Sequence, residues 1–439
     1  MSLTNNPSAV LKKNDPKTVN AWCSYDWANS VYNLTVTATI FPVYYSSVTR
    51  EAFGSDAVTF FGISVENSVL YSYAISFSFL VIVFLSPVLS GIADYSGKKK
   101  RFMRAFTYTG SLACFGLYFF MGENIEWGIL CSVIASIGYA GALVFYNAFL
   151  PEIATADKMD SYSARGFAMG YIGSVILLLA NLFVISNFEQ LGIADKGAAT
   201  RMAFLQVAIW WFGFSHIALY YLHDRPTGKK LNTKVIGKGF QEIKSVISKL
   251  GKQINTQRFL LAFFFYSMGV QTVMLLAPLF GEKEIKMEGE KLILVVLILQ
   301  IVAVLGAYVF ALISKKFGNK TGLMLAVIIW MGVCVGGYFL QKETEFYMLA
   351  VALGFVMGGI QSLSRSTYSK MIPENSVDTA SYFSFYDISE KVAIVLGTFS
   401  YGFIEQLTGS MRNSLLAMMV FFLGGLIFLA MARLPKTTD

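Results

Sequence analysis

Twelve stretches of about 20 or more mostly apolar residues dominate this chain: 19–46, 69–91, 102–121, 127–149, 164–188, 202–223, 259–280, 292–314, 321–340, 346–367, 381–404 and 412–433. A run of that length crosses the ~30 Å hydrocarbon core of a bilayer as one helix. Lipid offers backbone amides no partner, so a spanning segment is a helix or part of a closed barrel. These runs are continuous and do not alternate polar with apolar, which selects helices. Only 14% of the residues are charged and 55% are hydrophobic, against about 25% and 45–50% in soluble domains. A water-soluble fold has no place for so much apolar surface.

Several function classes drop out. The net charge of +8 lies in the loops between apolar runs, so it reports membrane topology, and no nucleic-acid partner is expected. Cys23, Cys114, Cys131 and Cys334 fall in or beside apolar runs without CxxC spacing, as small packing residues do. With two histidines, His216 and His223, neither a metal site nor any cofactor is expected. The chain has no G-x-x-x-x-G-K-[ST] phosphate loop and no G-x-S-x-G elbow, so neither a transport ATPase nor a membrane-embedded enzyme is expected. The first run lacks a small-residue cleavage site and reads as a retained helix.

An even number of spans puts both termini on one side. The loops on that side carry 26 of the 35 Lys and Arg, and the opposite loops carry 8. The positive-inside rule then makes the termini cytoplasmic, and the cell membrane is the expected location. The longest hydrophilic stretch, 224–258, lies at the chain's midpoint. Within it Ile236, Phe240, Ile243, Ile247, Leu250 and Ile254 recur every three or four residues, with Lys234, Lys238, Lys244, Lys249 and Lys252 mostly between them. That pattern predicts an amphipathic helix lying on the anionic inner leaflet, with a regulatory role as the alternative. It divides the chain into six-helix bundles at 1–223 and 259–439.

The two halves echo each other. Tyr146 to Glu152 and Tyr368 to Glu374 both read Tyr-x-x-x-[Leu/Ile]-Pro-Glu, and Ser-Tyr follows each, at Ser161 and Ser381. Six spans apart, the copies share one orientation, as in a parallel repeat. The loop after the second run, Gly91-Ile-Ala-Asp94-Tyr-Ser-Gly97-Lys-Lys-Lys-Arg101, carries two glycines suited to a tight turn, an Asp able to cap a helix, and a basic run. It matches the loop signature of the major facilitator superfamily, and 311–320 is a degraded counterpart. Further segments resemble the vacuole-effluxer-like family of that superfamily: Trp22-Cys-Ser-Tyr25-Asp26-Trp27-Ala-Asn29-Ser30, Ile40-Phe41-Pro42, Phe145-Tyr146-Asn147, Gln361-Ser-Leu-Ser-Arg365 and Phe385-Tyr386-Asp387-Ile-Ser-Glu390-Lys391. The resemblance implies an all-α transporter of twelve transmembrane helices in two six-helix pseudo-repeats. It also implies transport of small metabolites, with amino acids as the leading class.

Ionisable residues inside a span are costly, and they are paired or functional. Asp26, Arg365, Asp387, Glu390 and Lys391, with Arg165 at the mouth of the fifth run, are expected in one layer toward the inner face. At 1.5 Å per residue, Asp26 lies about 10 Å in. Asp387 and Lys391 are spaced to pair, while Glu390 faces away and needs Arg365 or Arg165. The layer reads as a gate with a coupling site, in which Asp26 is the proton-binding candidate because burial penalises charge. Static pairing that fixes helix register is the alternative. Tyr25, Asn29, Tyr32, Tyr146, Asn147, Tyr266, Gln271 and Gln361 are the polar groups expected at a substrate cavity, since the resemblance places the first, fourth, seventh and tenth spans there. Gly166/Gly170 and Gly354/Gly358 read as close helix packing. The expected partners are a small-molecule substrate, the bilayer and protons, with the chain monomeric. A non-transporting sensor of the same fold, or a facilitator of another metabolite, is the competing reading.

Overall fold

The computed structural model describes residues 12–225, 227 and 235–435. The first apolar run is one bent unit. Helix α1 (Pro16–Val31) continues through a π-helical segment (Tyr32–Ile40) into α2 (Phe41–Phe53). Asp15 starts it: its carboxylate accepts from the Thr18 backbone N–H at 2.9 Å and hydroxyl at 2.8 Å, with Pro16 opening the helix. The π segment holds a run rich in β-branched residues. There the Thr39 hydroxyl donates to the carbonyl of Leu34, five residues back, at 2.7 Å.

The molecule is not wholly α-helical. Strands β1 (Ala57–Phe60) and β2 (Ile63–Glu66) pair antiparallel, with Phe60 opposite Ile63. Phe61 and Gly62, both at positive φ (46° and 81°), form the two-residue turn that such hairpins favour.

Then follow α3 (Asn67–Ser96), α4 (Lys99–Leu117), α5 (Ile125–Ala148), α6 (Leu150–Ile153), α7 (Ala156–Ser186), α8 (Lys196–Tyr221), α9 (Val235–Lys252), α10 (Ile254–Lys283), α11 (Gly289–Phe317), α12 (Asn319–Phe339), α13 (Glu343–Met371), α14 (Thr379–Thr408), α15 (Met411–Ala417) and α16 (Met419–Met431). Among the described residues, nine helical units are long and apolar enough to cross a membrane: α3, α5–α6, α7, α8, α10, α11, α12, α13 and α15–α16. The other three apolar runs are helical as well. They stand apart because α1 is short, α4 opens on Lys99, Lys100, Arg101 and Arg104, and α14 carries Asp387, Glu390 and Lys391. Large apolar side chains such as Phe84, Leu112, Ile209, Leu312 and Phe399 are exposed on the outer helix faces, as lipid contact requires.

Before α9 the main packing is of α1 on α7 and α8, and of α4 on α5 and α8. After it, α11 packs on α13, and α10 on α14 and α16. The main pairings that join these groups are α7 with α11 and α13, and α14 with α3 and α5. Close approach depends on glycines. A side chain at Gly166, Gly170 or Gly173 of α7 would strike α1, and one at Gly354 or Gly358 of α13 would strike the backbone of α11.

The amphipathic helix forms as α9, but it does not lie free on a leaflet. Gly239 sits against Gly91 of α3, Val246 and Leu250 are buried, and Lys249 pairs with Asp378 just before α14. Phe240 and Ile247 remain exposed. Lys234 lies outside the described residues, as do the side chains of Ile236 and Lys238. Gly91 therefore serves close helix contact and does not make the turn. Gly97 does, at φ +67°, where it ends α3.

Candidate functional site: a central cavity with a buried ion-pair latch

Between the two groups of helices lies a cavity of about 240 Å³. Its wall draws on α1 and the π segment (Asp26, Ser30, Tyr32, Asn33, Thr37), α5 (Ser136, Tyr139, Asn147) and α7 (Phe167, Tyr171). The far group adds α10 (Phe263, Tyr266, Gln271), α13 (Gln361, Arg365) and α14 (Tyr386, Glu390, Lys391). Within the π segment Tyr32, Asn33 and Thr37 reach the wall, while Thr35 between them is buried.

At one end Arg365 of α13 closes the cavity. Its Nη1 donates to Asp26 Oδ2 of α1 at 3.0 Å, Nε to Ser163 Oγ at 2.9 Å, and Nη2 to the Ser163 carbonyl at 2.8 Å. Ser163 Oγ in turn donates to the carbonyl of Ser362 at 2.8 Å. Tyr146 of α5 donates its hydroxyl to the same Asp26 oxygen at 2.8 Å. The guanidinium carbon lies 4.1 Å from the centre of the Phe167 ring and 4.8 Å from that of Trp22, and Trp22 stacks on Tyr146. Arg365 and Asp26 are 2% and 4% exposed. A buried pair this well satisfied holds α13 of one group to α1 and α7 of the other. Gly166 makes room for it: an added Cβ would lie 2.6 Å from Asp26 Oδ2 and 2.9 Å from Arg365 Nη2.

A second charged group lies on α14. Lys391 Nζ is 3.3 Å from Asp387 Oδ1 and 3.2 Å from Glu390 Oε2. Gln271 of α10 donates to Glu390 Oε1 at 2.8 Å. The partners of Glu390 are thus Gln271 and its neighbour Lys391, not Arg365 or Arg165. The long lysine arm swings over both carboxylates despite the angular offset along the helix. Arg165 is half-buried, away from the cavity wall, and in no ion pair among the described residues.

Of the polar residues expected at the cavity, Tyr32, Asn147, Tyr266, Gln271 and Gln361 line it. Tyr171 donates to Gln361 at 2.5 Å, Tyr266 bonds Ser364 at 2.7 Å, and Tyr32 bonds Ser136 at 2.8 Å. Three do not line it. Tyr25 turns away to bond Thr107 at 2.7 Å, Asn29 is buried with no partner for its Nδ2 among the described residues, and Tyr146 bonds Asp26.

Toward the end bearing the termini, two further networks join the helix groups. Asp94 of the glycine-rich loop motif accepts from the backbone N–H of Ser381 at 2.7 Å and of Ala380 at 3.2 Å, at the start of α14. Lys99 joins Glu152 and Thr379 nearby. The motif's working cation is therefore Lys99, whereas Arg101 is exposed. The second network is centred on Asp160 of α7, which accepts from Ser314 at 2.7 Å, Asn319 at 2.8 Å and Lys370 at 2.6 Å. Sequence reasoning missed Asp160 because the fifth span was expected from 164, whereas α7 begins two turns earlier. The degraded loop copy at 311–320 was the available signal, since it supplies Ser314 and Asn319. The Pro-Glu repeat holds in sequence but not in role: Glu152 is buried on Lys99, while Glu374 is exposed.

Comparison with known proteins agrees with this architecture. The family described as "Vacuole effluxer Atg22 like" matches residues 14–439. An MFS-type transporter of Bacillus subtilis, YxiO, is 31% identical over 98% of both chains. Autophagy-related protein 22 of Eremothecium gossypii is 26% identical, covering 82% of this chain and 76% of the relative. Among solved structures, the E. coli fucose:proton symporter FucP in its outward conformation superposes with a TM-score of 0.69 at 14% identity, over 96% of this chain and 99% of that one. The human organic anion transporter MFSD10 superposes at 0.70 and 11% identity, over 95% of this chain and all of that one. The fold is that of the major facilitator superfamily, and transport, not enzymatic turnover, is what such a chain performs. The chain belongs to the Atg22-like vacuole effluxer family.

Proposed function

We propose that this transporter is a secondary carrier of amino acids, working as a monomer by alternating access between helical bundles at 1–223 and 259–439, with 224–258 as the linker. Both termini are cytoplasmic in this reading, in the cell membrane, and the conformation described is the outward-open one. The observation that carries it is the cavity between the helix groups, closed at the terminus-bearing end by the Arg365–Asp26 latch. Amino acids are favoured by the balance of the lining. At the wall formed by α14, Lys391 and the partly exposed Glu390 set an ammonium beside a carboxylate, which suits the two charges of a zwitterion. The rings of Phe167, Phe263 and Tyr386 in the same lining suit an apolar side chain.

The test is counterflow into proteoliposomes loaded with an amino-acid mixture, with labelled leucine and tyrosine as tracers. Tracer accumulation that unlabelled amino acid chases out is expected. No accumulation by correctly folded protein removes amino acids as the cargo.

A further inference from the structure

The two charged groups of the cavity differ in their balance. Asp26 and Arg365 cancel: Asp26 Oδ2 accepts from Arg365 Nη1 at 3.0 Å and from Tyr146 at 2.8 Å, and the other two guanidinium nitrogens bond Ser163. On α14, two carboxylates share one ammonium. If all three are charged, the site holds one uncompensated negative charge inside the bilayer. Placing a net charge there is costly, and the site shows where it is left unsatisfied. Asp387 is 6% exposed, and its Oδ2 has no hydrogen-bond partner among the described residues. Its other oxygen meets only Lys391. Glu390 completes the path: it lines the cavity, and its side chain is 25% exposed.

We propose that Asp387 and Glu390, bridged by Lys391, bind a single coupling proton, and that the Asp26–Arg365 pair is a latch that takes no part in proton binding. The proton arrives from water in the cavity at Glu390 and is held by the carboxylate pair; when it is bound, the site is neutral. A metal cation is disfavoured because the ammonium of Lys391 already occupies the space between the two carboxylates, whereas a proton adds no volume. The neighbours do not supply the missing charge. α10 presents Gln271 and Tyr266, α5 presents Tyr139, and α3 presents Phe79, whose ring centre lies 5.8 Å from Lys391 Nζ. Arg365 of α13 lines the same cavity but is committed to Asp26 and Ser163. Asp94 of α3 and Lys249 of α9 sit at the start of α14, bound to Ser381 and Asp378. α15 packs against the opposite end of α14, where Arg412 pairs with Glu284. The inference deepens the transport reading without depending on which solute is carried.

The test is infrared difference spectroscopy of the purified full chain, titrated between about pH 9 and about pH 4, reading the C=O stretch of protonated carboxyl groups. Wild type should show a one-proton band that is absent from both Asp387→Asn and Glu390→Gln, because either change leaves one acid balanced by Lys391. Lys391→Met leaves two acids without a base and should double the band, a gain that misfolding does not produce. A band that survives in either acid variant but disappears in Asp26→Asn would overturn the proposal, as would wild type with no such band. The readout uses protons alone, so failed leucine counterflow would sink the amino-acid reading and leave this result standing.

Discussion

A single methyl group should open the latch. Gly166→Ala puts a Cβ 2.6 Å from Asp26 Oδ2, 2.9 Å from Arg365 Nη2 and 3.2 Å from Tyr146 Oη. Ordinary contact begins at 3.4 Å, so the carboxylate must retreat by about 0.8 Å, and an ion pair now at 3.0 Å stretches toward about 3.8 Å. Overpacking of this kind costs about 1–3 kcal/mol. Because the strained pair joins α13 to α1 and α7, that cost falls on the closed state of the latch and shifts its population by about 5- to 150-fold. Gly170→Ala supplies the control. Its Cβ meets Ser30 Oγ at 2.5 Å and, of Asp26, only the backbone carbonyl, at 3.2 Å, so it strains the packing of α1 on α7 and leaves the latch carboxylate untouched. Spin labels at Lys158→Cys and Lys316→Cys, both exposed on opposite groups at the terminus-bearing end, read the opening by double electron–electron resonance. The four native cysteines are buried and leave a clean background. Gly166→Ala should add a longer-distance population, while Gly170→Ala should lower the melting temperature without adding one. Identical distance distributions in the two variants would refute the reasoning.

Two further outcomes follow from the networks near the termini. Lys99→Met leaves the buried Glu152 with Arg225, 3.7 Å away, as its remaining cation, and should cost less than the loss of about 3–5 kcal/mol that a wholly unpaired buried charge brings. Adding Glu152→Gln should recover part of it, and a double-mutant cycle of thermal unfolding in detergent checks this; additive losses would mean the pair is not coupled. The partly exposed Lys249–Asp378 pair should contribute only about 0.2–1 kcal/mol after screening, so Lys249→Ala should matter at low salt and vanish at high salt. Asp378 holds the Lys249 ammonium above its usual range, so its stabilisation is complete below the unfolded lysine value and fades as pH rises through the folded one. A melting-temperature difference that is flat with salt, or that grows in alkali, counts against the pairing.

The legible part of this molecule was whatever hydrophobic length and costly charge determine. Apolar runs mark the helices, and the rule that buried charges are paired or functional singles out Asp26, Arg365, Asp387, Glu390 and Lys391 from the sequence alone. Pairing itself was legible only within one helix, as for Asp387 with Lys391, where spacing fixes geometry. The union of Asp26 with Arg365 spans 339 positions and depends on how α1, α7 and α13 converge, which no local pattern encodes. Tyr25 and Tyr146 show the same limit. Both lie near the latch on helices of the right kind, but side-chain direction sends one to Thr107 and the other to Asp26. The π segment escaped because its residues, 32–40, read as ordinary apolar helix; a change in hydrogen-bond register leaves no periodicity signal in so short a stretch.

On the proposed assignment, charge balance separates a latch from a coupling site within one layer of charges. A latch must be strong when closed and cheap to leave, so its charges should cancel and its bonds should cross between the moving groups; Arg365, Asp26 and Ser163 meet both conditions. A coupling site must change its net charge while staying within one rigid element, so that loading it alters the cost of moving that element through low dielectric. Asp387, Glu390 and Lys391 lie within five consecutive residues of α14 and form their ion pairs among themselves. Protonation there removes a net charge from the very helix whose start is bound to Asp94, Thr379 already being joined to Lys99. On that assignment, a proton bound in the cavity would act on α14 itself, and α14 would carry the effect to the contacts at the terminus-bearing end.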